Sequence, residues 1–267
     1  MRQGAGMKIT VIGMGAVGTE VVGHLLNSGV ASEIVVIDQA AAKAQAELWD
    51  FSHTTSFIYA QNPRLTAGDY ADSAGSDIVV ITAGAQIKPG QTRDALAQIN
   101  SAIMKSIIAE VERTSPDAIV LMVTNPVDIL VQVVLRHSSF PKERVISLGT
   151  IIDTARFMRI VSEHVAIDPK NIFGWVLGDH SETGFIPWSL CNVCGLDVDS
   201  YCELNGLPSI DRVGCCRSAS TSSRARATPT TASPPRCSAS SGRSPATSGP
   251  CCRSARFCKA NMAFPTW

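Results

Sequence analysis

Through the first half of the chain, short β-branched and aliphatic runs alternate with longer stretches whose apolar positions recur at helical spacing. The runs are Ile9 to Ile12, Ile34 to Ile37, Ile78 to Ala83 (IVVITA), Ala118 to Val123 (AIVLMV) and Arg144 to Leu148 (RVISL). Helical patterning covers Gly18 to Ser28, Ala40 to Asp50, Ala95 to Arg113 and Val127 to Arg136. This β/α alternation predicts an α/β domain built on a doubly wound parallel sheet. Ligands of such sheets bind beyond the carboxyl ends of the strands. Polar motifs fall there, after Ala83, Val123 and Leu148.

The segment from Lys8 to Asp38 specifies a site as well as a shape. Its first apolar run leads into Gly13, Gly15 and Gly18 in GxGxxG spacing, then a helical pattern, then a second run ending on Asp38. Gly13 permits a tight turn, Gly15 lets the backbone approach a pyrophosphate, and Gly18 lets the helix pack on the strand. The helix N-terminus presents N–H groups to phosphate. Asp38 stands about twenty residues past the last glycine, where a carboxylate accepts hydrogen bonds from a ribose diol and repels a 2′-phosphate. NAD is therefore the expected cofactor.

Four further constellations carry chemistry. AGAQIKPGQTR (83–93) is either a solvated loop or a mobile lid delivering Arg93 to a ligand. In TNPVD, Pro126 biases Asn125 away from helix, so its amide either faces the crevice or caps the next helix. In GTIIDTARFMR, Asp153 and Arg156 are three apart and share a helix face, as a surface ion pair or as two groups aimed into a pocket. GWVLGDHSETGF carries His180 in a Gly-flanked turn. A lone His is more often structural, but an Asp and two arginines stand at other strand ends of the same sheet.

In order, GMGAVG, VVIDQ, ITAGAQIKPGQTR, VTNPVDI, LGTIIDTARF and VLGDHSETGF resemble the L-lactate/L-malate dehydrogenase family of NAD-dependent 2-hydroxy acid dehydrogenases, from residue 7 to about 212. The resemblance implies a Rossmann NAD-binding domain over 1–149 and the start of an α+β substrate domain over 150–212. It implies that His180 exchanges a proton with the substrate oxygen, a task suited to imidazole near neutral pH. Asp153 would orient that ring. Arg156 would clamp the substrate carboxylate bidentately, Arg93 would polarise the carbonyl, and Asn125 would bond the same oxygen or the His beside the cofactor. Gly13, Gly15, Gly18 and Asp38 would hold NAD. The implied partners are a small 2-oxo or 2-hydroxy acid and further copies of the chain.

Two local departures bear on specificity. Malate-type members resemble this segment with an Arg where Ile87 stands, and lactate-type members with a Gln. Ile87 cannot pair a second carboxylate, so an apolar substrate side chain is expected: pyruvate/L-lactate, or a branched acid as in the 2-hydroxyisocaproate branch. Ser181 stands where most members resemble a Gly after the His, and Glu182 and Thr183 replace the usual small acidic–Ser pair, which leaves the role of His180 intact and the pocket wall undefined.

The larger departure is the tail. After Asp211 there is no Asp or Glu, and Ser, Arg, Pro, Ala and Cys crowd the sequence without helical period. Such composition reads as a disordered linker. A shifted reading frame gives another account. Taking the third base of each codon with the first two of the next, Phe257–Cys258 must encode Leu and Met262–Ala263 must encode Gly; FCKANMAFPTW can become LQGEYGIPDV, and TPTTASPP can become AYYGIAA. Both resemble the family's C-terminal motifs. A frameshift near 205–215 would make 213–267 an out-of-frame tail without native fold. The chain would then lack the helices that complete the substrate domain, and low turnover is expected. A non-catalytic NAD-binding protein is the rival reading.

Composition adds limits. The 267 residues carry 23 basic and 23 acidic side chains, so bulk charge favours neither nucleic acid nor a membrane surface. The opening residues lack a signal-peptide core, Met7 serves as well as Met1 as an initiator, and no apolar run is long enough to span a bilayer. Of nine cysteines, six lie in the tail. Cys191, Cys194 and Cys202 have no second ligand pair nearby and read as ordinary thiols, with no metal site, in a reducing cytoplasm.

Overall fold

The computed structural model describes residues 6–57, 62–86, 90, 92–181 and 183–221, apart from the side chains at 93, 220 and 221. Six parallel strands form the main sheet: β1 (Lys8–Ile12), β2 (Glu33–Ile37), β3 (Arg64–Ala67), β4 (Ile78–Ile81), β5 (Ile119–Met122) and β6 (Val145–Ser147), in the order β3-β2-β1-β4-β5-β6. The central strand β1 pairs with both neighbours, Ile9 standing opposite Ile34 and Ile78. This is the doubly wound order, and it reverses between β1 and β4, where such sheets open a ligand crevice.

The apolar runs are strands covered on both faces. Along β4, Val79 and Ile81 join one core cluster while Val80 joins the other. The first cluster takes Met104, Ile107, Ile108 and Val111 from α3 (Arg93–Thr114) and Val127, Leu130 and Val134 from α4 (Val127–His137). The second takes Val22 and Leu26 from α1 (Ala16–Ser28) and Ala44 and Leu48 from α2 (Ala41–Thr54). Successive side chains point to opposite faces, so each strand feeds both layers. Thr10 is fully buried, and its hydroxyl bonds that of Ser76 at 2.7 Å. β3 went unanticipated because RLTA is an edge strand with one large aliphatic residue and no fully buried position.

α5 (Gly149–Val165) leads into a small antiparallel sheet of β7 (Ile172–Phe173), β8 (Asn192–Val193) and β9 (Leu196–Asp197). This half has its own core of Phe157, Val161, Ile172, Val176, Ile186 and Val193, with Phe157 set edge-on to Trp188 at 5.5 Å. α6 (Val198–Leu204) and α7 (Arg212–Thr221) add Cys202, Cys215 and Ala219. α7 belongs to the stretch assigned above to the tail; residues 222–267 lie outside the described residues. Burial pushes the Cys191, Cys202 and Cys215 thiols above their ordinary range, as expected of packed rather than reactive sulfur. Among the described residues no helix is long and apolar enough to cross a membrane, and no group of three or more His, Cys, Asp or Glu could hold a metal ion.

One face of this second half is apolar and open. Ile172, Gly174 and Val176 are buried, while the intervening Phe173, Trp175 and Leu177 are exposed. Phe185, the antiparallel bridge partner of Leu177, is exposed with them.

Candidate active site

The cofactor end of the site is set by backbone contacts. Gly13 follows β1 with φ +103°, and a Cβ there would lie 2.6 Å from the Ala83 nitrogen. At Gly18 a Cβ would sit 1.8 Å from the Gly13 carbonyl oxygen, so helix and turn touch directly. A Cβ on Gly15 would meet nothing within 4 Å; this edge of the turn faces open space. Gly15 caps α1 without a side-chain hydrogen bond, which leaves first-turn N–H groups to a ligand. Asp38, half-buried just past β2, accepts from Met14 N–H at 2.6 Å through Oδ2 and from Ala40 N–H at 2.8 Å through Oδ1. It therefore staples the glycine turn to β2, with lone pairs remaining for further donors.

The polar cluster gathers at the ends of β5 and β6. Asp153, in the second turn of α5, is only 2 % exposed. Its Oδ1 accepts from Arg156 Nη1 at 2.9 Å, and its Oδ2 lies 2.6 Å from His180 Nδ1. A buried carboxylate requires such partners. An ionised carboxylate only accepts, so Nδ1 carries the proton and Nε2 is left to face a ligand. A Cβ on Gly149 would come 3.3 Å from the His180 Cβ, so the first residue of α5 must be small for the ring base to approach it. Arg156 Nη1 also donates to the Ala219 carbonyl of α7 at 3.3 Å; among the described residues its Nε and Nη2 are not bonded.

The turn bearing His180 is braced by its own hydroxyls. Ser181 Oγ donates to Asp179 at 2.7 Å, and Thr183 Oγ1 donates to the other carboxylate oxygen. The Thr183 and Ser181 bonds hold the Asp179 carboxyl below its ordinary range. A further bond, from Val176 N–H to Thr154 Oγ1 at 2.9 Å, ties the segment leading into this turn to α5.

His180, Asp153 and Arg156 are thus brought together. Asn125 is exposed after β5, and its peptide bond to Pro126 is cis. Arg93 begins α3, but its side chain, like all of Ile87 and Glu182, lies outside the described residues. Sequence reasoning missed Asn100 and Asp128. Asn100, buried in α3, accepts from Ala85 N–H at 2.7 Å and donates to the carbonyls of Ala85 and Asn125, so it ties the loops after β4 and β5 together. Asp128 accepts the backbone N–H of His180 at 2.8 Å. Asp128 was visible in TNPVD; Asn100 belongs to no motif. A cavity of about 320 Å³ opens at the amino ends of the strands beside Met7, Val30 and Pro63, away from this chemistry.

Residues 7–147 match the family model described as "lactate/malate dehydrogenase, NAD binding domain". The chain belongs to the lactate/malate dehydrogenase family. Among its lactate/malate dehydrogenase relatives, L-lactate dehydrogenase 1 of Clostridium acetobutylicum is 48 % identical over 196 residues, covering 73 % of this chain and 62 % of that protein. The L-lactate dehydrogenase of Acetivibrio thermocellus is 46 % identical, covering 73 % and 61 %. The crystal structure of minor L-lactate dehydrogenase from Enterococcus mundtii has TM-score 0.74 at 32 % identity, covering 79 % of this chain and 67 % of that one. Malate dehydrogenase from Plasmodium falciparum has TM-score 0.73 at 26 % identity, covering 80 % and 68 %. The chain spans about three fifths of the length of the curated relatives it matches.

Proposed function

We propose that this sequence encodes an NAD-dependent L-2-hydroxy acid dehydrogenase of the lactate type, cytoplasmic and homo-oligomeric when whole. The observation that carries the proposal is the buried Asp153 carboxylate holding His180 and Arg156 at once, at the same carboxyl edge of the parallel sheet as the glycine turn. The turn suits a dinucleotide. Gly15 opens onto free space, the uncapped start of α1 offers N–H groups to a pyrophosphate, and the half-buried Asp38 can accept from a ribose diol.

When bound, NADH supplies the hydride. In its cationic form His180 gives the Nε2 proton to the carbonyl oxygen, and in the reverse direction it takes that proton back. Asp153 keeps Nδ1 protonated and stabilises the imidazolium. Arg156 holds the substrate carboxylate through its remaining donors. Arg93 and Asn125 act on the carbonyl oxygen. Ile87 favours an apolar substrate side chain, and it also supports the second reading, a branched 2-oxo acid.

In this proposal residues 1–149 hold the cofactor, 150–212 begin the substrate half and 213–267 are translated out of frame. Two experiments test it. DNA sequencing across codons 200–267 is expected to reveal an indel of one or two bases; an intact frame would favour the non-catalytic reading. NADH oxidation by the frame-restored protein is expected with pyruvate and not with oxaloacetate. Preference for 2-oxoisocaproate would select the branched reading, and no turnover despite NADH binding would defeat both.

A further inference from the structure

His180 is held at two points by carboxylates from two different helices. Asp153 of α5 fixes the ring through Nδ1, and Asp128 of α4 fixes the main chain through the N–H. The second contact is unusual for its position. Asp128 lies in the first turn of α4, where a carboxylate normally serves the exposed N–H groups and dipole of its own helix. α4 has no side-chain cap hydrogen bond. Asp128 Oδ2 instead reaches a residue 52 positions later in the chain.

The consequence is geometric. The ring alone could pivot about its bond to Asp153. With the backbone nitrogen also anchored, and the His180 Cβ set so near Gly149 that a side chain there would crowd it, the direction of Nε2 is set. The geometry points to Asp128 as a positioning residue for the proton transfer, acting through its oxygen as an acceptor for the His180 N–H. This rests on the proposed role of His180. Misplacing a reacting group by about 1 Å can cost about a hundredfold in rate.

The test uses the full chain with NADH, comparing Asp128→Ala with Asp128→Asn, which keeps a carbonyl oxygen in place. NADH fluorescence gauges folding of the cofactor site. The His180 ring signal, assigned by its loss in His180→Gln, reports ring placement by NMR. The expected result is a shifted signal in Asp128→Ala, a native-like signal in Asp128→Asn, and equal NADH binding in both. In the frame-restored enzyme, Asp128→Ala should lower kcat by about 10- to 100-fold with KM for pyruvate within about twofold, and Asp128→Asn should recover most of it. An unmoved signal in Asp128→Ala overturns the inference. So does an Asn variant as displaced as the Ala variant, because charge rather than the hydrogen bond would then be at work. So does loss of NADH binding in step with the shift, which marks general unfolding. Should wild type turn nothing over, the proposed activity fails, and the NMR comparison still decides whether Asp128 places the ring.

Discussion

At the scale of single residues, Asp153 carries the most consequence. It is the acceptor for both a guanidinium and an imidazole, and it is nearly inaccessible to water. Asp153→Asn keeps the shape but cannot accept at both oxygens. Its NH2 would face either Arg156 or the ring nitrogen, and the wrong imidazole tautomer would be favoured. The frame-restored enzyme is expected to lose about a thousandfold or more in kcat while NADH binding persists, checked by stopped-flow turnover against fluorescence titration. Gly18 is the other demanding position. Gly18→Ala places a Cβ 1.8 Å from the Gly13 oxygen. Backbone must move, at a cost of about 1–3 kcal/mol, and NADH affinity should fall with stability in urea titrations. Gly18 was legible from spacing alone. Asn100 was not: one Asn inside a long helix carries no pattern, and its importance comes only from loops brought to it by folding.

At the scale of elements, two predictions follow from how loops are tied down. Asn100→Leu removes three hydrogen bonds to the backbone of the loops after β4 and β5. Leaving those partly buried groups without their partner should cost about 1–3 kcal/mol, read as a lower midpoint in urea, with faster amide exchange at Ala85. The turn after Gly178 should respond to acid. Thr183 and Ser181 lower the Asp179 pKa, so the bracing is fully present above the ordinary carboxylate pKa of about 4 and is lost as pH falls through the lower folded value. Exchange protection at Ser181, Thr183 and Gly184 should persist at pH 5 and vanish in stronger acid, and Thr183→Val should move that loss upward. The strands buried on both faces were readable as apolar runs, and their β/α rhythm gave the layer order. β3 escaped because an edge strand needs no such run. The short pairs of β7 to β9 also escaped, since two residues cannot display a period.

At the scale of the whole molecule, each half has its own core among the described residues, and the first is covered on both faces of its sheet. The main sheet is enclosed by α1 and α2 on one face and α3 and α4 on the other. In the second half, Phe173, Trp175, Leu177 and Phe185 are each between 41 % and 53 % exposed, at alternating positions where a water-facing strand would carry polar groups. The chain as written should therefore enhance the fluorescence of an apolar dye such as ANS, and the frame-restored protein should do so less; equal enhancement would contradict this view of the face. The sequence reading proposed an incomplete substrate half, but could not say which surface would be exposed, because that depends on how the chain alternates around Gly174. In a living cell this strip would matter before any chemistry does. Apolar side chains spaced along a strand are what chaperones and quality-control proteases bind. Faster destruction at an unchanged rate of synthesis would then lower the steady-state amount of this polypeptide.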